Sequence, residues 1–137
     1  MSQHVERITF RPSLRKRRAR VTRRESQLLE RHPAKVALRL ALAHRIAAEV
    51  SAGVYADYAA AARHHGVTRA RLTQLMNLLL LAPDIQEEVL SLEFAVGREP
   101  VTERSLRQVL VSLCWEDQRV VWGEIHQAHD HHGESQD

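Results

Sequence analysis

The sequence predicts an all-α fold: one compact multi-helix domain containing a helix-turn-helix, flanked by a disordered basic N-terminal arm and a short disordered C-terminal tail. Apolar residues between Pro33 and Ile125 recur at steps of three and four, the period of a helix buried on one face. Aromatic residues are only 4% of the chain, so Leu, Ala, Val and Ile must fill the core, which suits helices better than strands. The stretch from Tyr58 to Leu81, YAAAARHHGVTRARLTQLMNLLLL, sets two helical patterns on either side of Gly66. At 137 residues there is room for one core and little more.

Charge divides the chain unevenly. Residues 1–24 hold nine Arg and Lys against Glu6 alone, a balance of +8; residues 25–82 stand at +3 and residues 83–137 at −8. Such a gradient suggests that one end faces a polyanion and the other faces solvent or a protein. The arm has RPSLRKRRARVTRR at its centre, with Arg15, Lys16, Arg17, Arg18 and Arg20, and shows no periodicity beyond a short Ile8-Thr9-Phe10 piece. Like charges repel and little apolar area can be buried, so disorder is expected in the free chain. It suits DNA phosphates or an adjacent minor groove, or it serves solubility; its composition does not separate DNA from RNA.

The domain proper is expected over residues 25–126. Whether Thr22 to Glu30 adds a helical turn is open. A first helix should start near Pro33, a residue suited to the first helical position because it has no N–H to leave unpaired, and should run to about Ser51. Val36, Leu40, Ala43, Ala47 and Val50, with Ile46, form its apolar stripe, and Gly53 ends it. Ala59 to Ala62 supply the small side chains that two steeply crossing helices need where they meet. Gly66 supplies the turn, Val67 points inward, and Thr68 caps the next helix, whose buried face is Leu72, Leu75 and Leu79 with Met76. That leaves Arg69, Arg71, Thr73, Gln74 and Asn77 exposed. Two arginines in a first turn oppose the helix dipole at a cost of about 0.3–1 kcal/mol each, a placement that makes sense if a phosphate or a base edge completes the site. Arg pairs with guanine, and Gln or Asn with adenine, in the major groove.

A further helix opens at Pro83 with Asp84, Glu87 and Glu88 near its start and Ile85, Val89 and Leu92 on its apolar face. Gly97 and Pro100 mark a loop. Thr102 caps a helix with Leu106, Val109, Leu110 and Leu113 in a stripe, and Trp115 to about His126 forms the last, with Val121, Trp122 and Ile125. These aromatics suit a core, although Trp is also enriched at binding surfaces. Cys114, between Leu113 and Trp115, is expected to be buried and inert. The tail, residues 127–137, is expected to be disordered. Its histidines, with His126 and Asp130, favour a frayed terminus over a metal site, since structural zinc usually takes cysteines or ligands from two elements. His64 and His65 end the short helix and, when protonated, could supplement phosphate binding.

The run DYAAAARHHGVTRARLTQLMNLLLLAPDIQEEV resembles the helix-turn-helix domain of ParB-like chromosome and plasmid partition proteins, and the small partition-like DNA-binding proteins encoded beside bacterial and phage recombinases. The similarity covers about residues 33 to 113. It implies a recognition helix from Thr68 to about Leu80, with contact roles for Arg69, Arg71, Thr73, Gln74 and Asn77. The nucleotide-binding domain and GERR-type arginine motif that partition proteins carry have no counterpart before Pro33, so CTP hydrolysis and clamp behaviour are not implied.

No nucleophile–base pairing, phosphate loop or metalloprotease motif appears, so no enzyme, cofactor or metal is expected. With no apolar run of about 18 residues and no signal peptide, a cytoplasmic protein is expected. The leading expectation is a sequence-specific double-stranded DNA-binding protein, a transcriptional regulator or an accessory factor for recombination or partition. Its contact set is Thr68, Arg69, Arg71, Thr73, Gln74, Asn77 and Arg63, with the arm adding affinity. The alternatives are an adaptor whose acidic C-terminal helices bind a recombinase or polymerase subunit, and an RNA binder using the arm. Homodimerisation stays open.

Overall fold

The computed structural model describes residues 30–134, with side chains to residue 128. The basic arm, including Arg15, Lys16, Arg17, Arg18 and Arg20, lies outside the described residues. Two compact units are present, and the smaller contains residues 31–32 and 94–98. It holds most of β1 (Arg31–Pro33) and of β2 (Glu93–Ala95), which pair, together with the buried Phe94 and Gly97, which turns the chain at φ 78°. Strands of three residues carry too little alternation to be read from sequence.

The main unit, residues 33–93 and 99–134, is helical: α1 (Lys35–Ser51), α2 (Tyr58–His65), α3 (Arg69–Asn77), a 3-10 turn (Leu78–Leu80), α4 (Pro83–Leu90), α5 (Glu103–Val109) and α6 (Trp115–Glu134). The all-α expectation holds. Among the described residues no helix is long and apolar enough to cross a membrane. α1 is the central strut and packs against α2, α3, the 3-10 turn and α4. Val36, Ala37, Leu40, Ala43 and Ile46 form its buried stripe, while Ala47 and Val50 are half-buried.

Pro33 is not the first helical residue. It closes β1, and Ala34 takes the cap position without a side-chain hydrogen bond. The exposed helix start is served from far along the chain, because Lys35 N–H donates to Glu99 Oε1 at 3.0 Å. At the other end Gly53 adopts φ 78°, as its position after the helix suggests.

After Asn77 the backbone tightens to 3-10 winding, which advances faster per residue than an α-helix. The apolar phase shifts accordingly: Leu78 and Leu81 are buried, Leu79 is half-buried and Leu80 is 48% exposed. The α-helix of the expected recognition element therefore stops at Asn77, and the leucine run continues as this turn.

α5 packs on α6. Thr102 and Ser105 form a reciprocal capping box at the start of α5. Its stripe ends at the half-buried Leu110, and Leu113 is exposed. Cys114 is exposed rather than buried. The cause is local: its carbonyl accepts the Gln118 N–H at 3.0 Å, so it sits in the turn that launches α6, and Leu113 and Trp115 beside it are exposed as well. Helix α6 also runs past His126 to Glu134, so residues 127–134 continue a helix instead of beginning the tail. Trp122 joins the core, 5% exposed, with its indole N–H donating to Glu88 of α4.

Gln118 is 0% exposed and ties α6 to the chain entering α4. Its Oε1 accepts the Ala82 N–H at 2.8 Å, and its Nε2 donates to the carbonyls of Leu80 at 3.2 Å and Ser112 at 3.0 Å. One amide thus satisfies three backbone groups left over by the surrounding turns.

Candidate functional site

The α2–turn–α3 unit is built as its residue types demand. Asp57 caps α2 by accepting the Ala60 N–H at 2.8 Å. Ala61 and Ala62 are buried where α2 meets its neighbours, in a cluster with Ile46 and Leu72 against which Tyr55, Val67 and Met76 pack. Gly66 adopts the left-handed φ of 67°, and a Cβ there would meet nothing within 4 Å. Glycine is therefore required by backbone angle and not by space. Thr68 caps α3 through Oγ1, which accepts the Arg71 N–H at 3.1 Å.

With Leu72 and Leu75 buried, the exposed face of α3 is centred on Ala70, Gln74 and Asn77, spaced four and three apart. Residue type alone does not mark Ala70 as part of this face, although the same spacing places it there. Its methyl keeps the middle of the ridge low enough for a close approach. Arg69 and Thr73 flank one side with Tyr58, lining a cleft of about 310 Å³. On the other side Gln74, Asn77, Leu80, Arg107 and Leu113 border a second cleft of about 300 Å³. Arg63 is exposed in the last turn of α2, and His64 is exposed with its ring tilted at 43° against Tyr55, 5.2 Å between ring centroids. His65 is turned inward, with Nε2 3.7 Å from Glu49 Oε2, so it does not join the exposed set.

The residues expected from sequence do not form a uniform set. Among the described residues the side chains of Arg69, Arg63 and Asn77 have no hydrogen-bond or ion-pair partner, which leaves their donors available. The Thr73 hydroxyl donates to the Arg69 carbonyl at 3.0 Å, so its hydrogen is spent within the helix. Arg71 departs most from expectation, because it is half-buried and not free.

Both ends of the Arg71 guanidinium are held by Glu103 of α5: Nη1 donates to Oε1, and Nη2 donates to Oε2 at 2.9 Å. Glu103 Oε2 also accepts from Arg39 Nη1 of α1 at 2.9 Å. The carboxylate, with a side chain only 6% exposed, therefore joins three helices. Its hydrogen bonds with Arg71, then the charges of Arg71, Arg39 and Arg107, hold its carboxyl below the usual glutamate range against the opposing effect of burial. Hydrogen bonding to Glu103 raises Arg71 in turn. The helix-dipole penalty that calls for an external anion at Arg71 is thus answered from within the fold. Position 103 reads in sequence as an ordinary acidic first-turn residue, so nothing local marks it.

No family model matches this chain, and neither does any curated protein or solved structure. What the site can do follows from its own chemistry. An exposed helix ridge offers amide donors and acceptors at its centre and, at its start, an arginine with no partner among the described residues.

Proposed function

We propose that the chain is a sequence-specific double-stranded DNA-binding protein, ParB-like in its helix-turn-helix, that inserts α3 into the major groove and serves as a transcriptional regulator or a recombination or partition accessory factor. The exposed ridge of Ala70, Gln74 and Asn77 beside the unpartnered Arg69 carries this reading. Amides at the centre of a capped helix suit base edges, a small methyl suits a thymine methyl, and Arg69 and Arg63 suit phosphates or guanine. The basic arm, with Arg15, Lys16, Arg17, Arg18 and Arg20, would add sequence-independent affinity, and the protein would meet its DNA in the cytoplasm.

Site selection from random duplex DNA followed by gel shift tests the reading. Gln74→Ala with Asn77→Ala is expected to reduce the preference for the selected site over random DNA at least about tenfold, since a good bidentate base contact is worth roughly 1–3 kcal/mol. Binding to random DNA should change little. Deleting residues 1–24 should flatten the salt dependence by about 0.9 in log–log slope for each phosphate that the arm neutralises; an unchanged slope removes the arm from the mechanism.

A second reading, an adaptor binding a recombinase or polymerase subunit through the C-terminal helices, draws on the exposure of Val111 at 87%, Leu113 at 66% and Val120 at 64%. If the double variant discriminates between sequences as the wild type does, the adaptor reading gains.

A further inference from the structure

Resting on the DNA-binding reading, we infer that Arg71 and Glu103 are positioning residues that set base specificity: they hold the Gln74 amide with its oxygen turned inward and its NH2 outward, so that Gln74 selects an acceptor edge, guanine N7 or O6 or thymine O4, over adenine. The Arg71 Nη1 carries two hydrogens. One goes to Glu103 Oε1 and the other to Gln74 Oε1 at 3.1 Å. A guanidinium has donors and no acceptor, so only the amide oxygen can face it. Rotating the Gln74 amide by half a turn would set its NH2 against a cation and forfeit the hydrogen bond.

The guanidinium cannot readily swing away with the amide, because Glu103 grips it at both ends. Glu103 is itself fixed by Arg39 and by burial. The order of the relay is therefore α1 and α5 to Arg71, and Arg71 to Gln74. Bidentate reading of adenine needs the amide oxygen on the base N6–H while the NH2 donates to N7. The Gln74 oxygen keeps a second lone pair, but while it faces Arg71 it is the NH2 hydrogens that are directed to the groove. This reverses the pairing that residue type alone suggests, and it gives Arg71 a role in recognition without a contact to DNA.

Selection from random duplex DNA with the full chain, run for wild type, Gln74→Ala, Arg71→Leu and Gln74→Ala/Arg71→Leu, tests the relay. The position that loses its preference in Gln74→Ala is the one Gln74 reads. There the wild type is expected to select guanine or thymine. Arg71→Leu frees the amide to rotate, and the adenine-to-guanine ratio at that position should rise about tenfold, the scale of one base contact. In the Gln74→Ala background the same substitution should leave that ratio unchanged, because the coupling runs through Gln74. A purely structural role for Arg71 would lower affinity and leave the selected base as it was. If Arg71→Leu fails to fold, Glu103→Gln, which keeps the shape and weakens the grip, should shift the ratio in the same direction. The relay is overturned if the wild type selects adenine at the Gln74 position, if no position depends on Gln74, or if the folded variant keeps the wild-type preference. A wild type that enriches no sequence overturns the DNA reading itself, and the relay with it.

Discussion

Gln118→Leu is expected to lower the stability of the fold by about 3–4 kcal/mol, although it replaces a polar residue with an apolar one of similar size inside a core. The usual gain from removing a buried amide does not apply, because the partners of Gln118 are backbone groups that the substitution cannot remove. Ala82 is 0% exposed, so its N–H loses Oε1 without gaining water. The carbonyls of Leu80 and Ser112 lose the other half of the amide. A stranded buried donor or acceptor costs about 1–3 kcal/mol, and Leu80, 48% exposed, and Ser112, in an open turn, can each recover a water, which keeps the total toward the low end of the three contributions. Urea unfolding should show a lower midpoint with an unchanged slope. A loss below about 1 kcal/mol would mean that the turn rearranges to satisfy itself, against the usual cost of orphaned groups.

Glu103→Ala is expected to cost about 2–3 kcal/mol, below the roughly 3–5 kcal/mol for breaking a fully buried pair. Arg39 and Arg71 retain side-chain exposures of 39% and 33% and can turn to solvent once abandoned. The pH dependence follows from the lowered carboxyl of Glu103. A glutamate held below its unfolded value of about 4.3 contributes stability that is fully present above that value and is lost as pH falls through the folded one. Thermal melts of wild type and Glu103→Ala should therefore lie furthest apart near neutrality and converge in acid. A constant separation down to about pH 2, beneath the unfolded value of roughly 4.3, would show that the charge of Glu103 is not what stabilises it.

The contrast between these residues and the caps explains what sequence could show. Thr68, Gly66, Gly53 and Thr102 act on backbone within a few residues of themselves, so their types predict their roles directly. Gln118 acts across 36 residues and Glu103 across 32 and 64, and no local pattern announces such pairings. The exposed face of α3 was legible from its period, but the distinction between a free Arg69 and a committed Arg71 was not. Both arginines occupy the first turn of the same helix; they differ in that α5 brings Glu103 against the second. Cys114 departs from expectation for a related reason: apolar neighbours imply burial only inside an element, and here all three residues fall where one helix ends and the next begins.

The 3.0 Å hydrogen bond from Lys35 N–H to Glu99 also limits how the chain can be divided. A fragment ending after α4 would keep every residue of the helix-turn-helix and yet lose the carboxylate at the start of its longest supporting helix, the grip on Arg71 and the amide beneath Ala82. The supports of the helix-turn-helix therefore extend beyond its own residues, to Glu99, Glu103 and Gln118. Moving the helix-turn-helix to another protein would forfeit these hydrogen bonds unless residues 99–118 went with it.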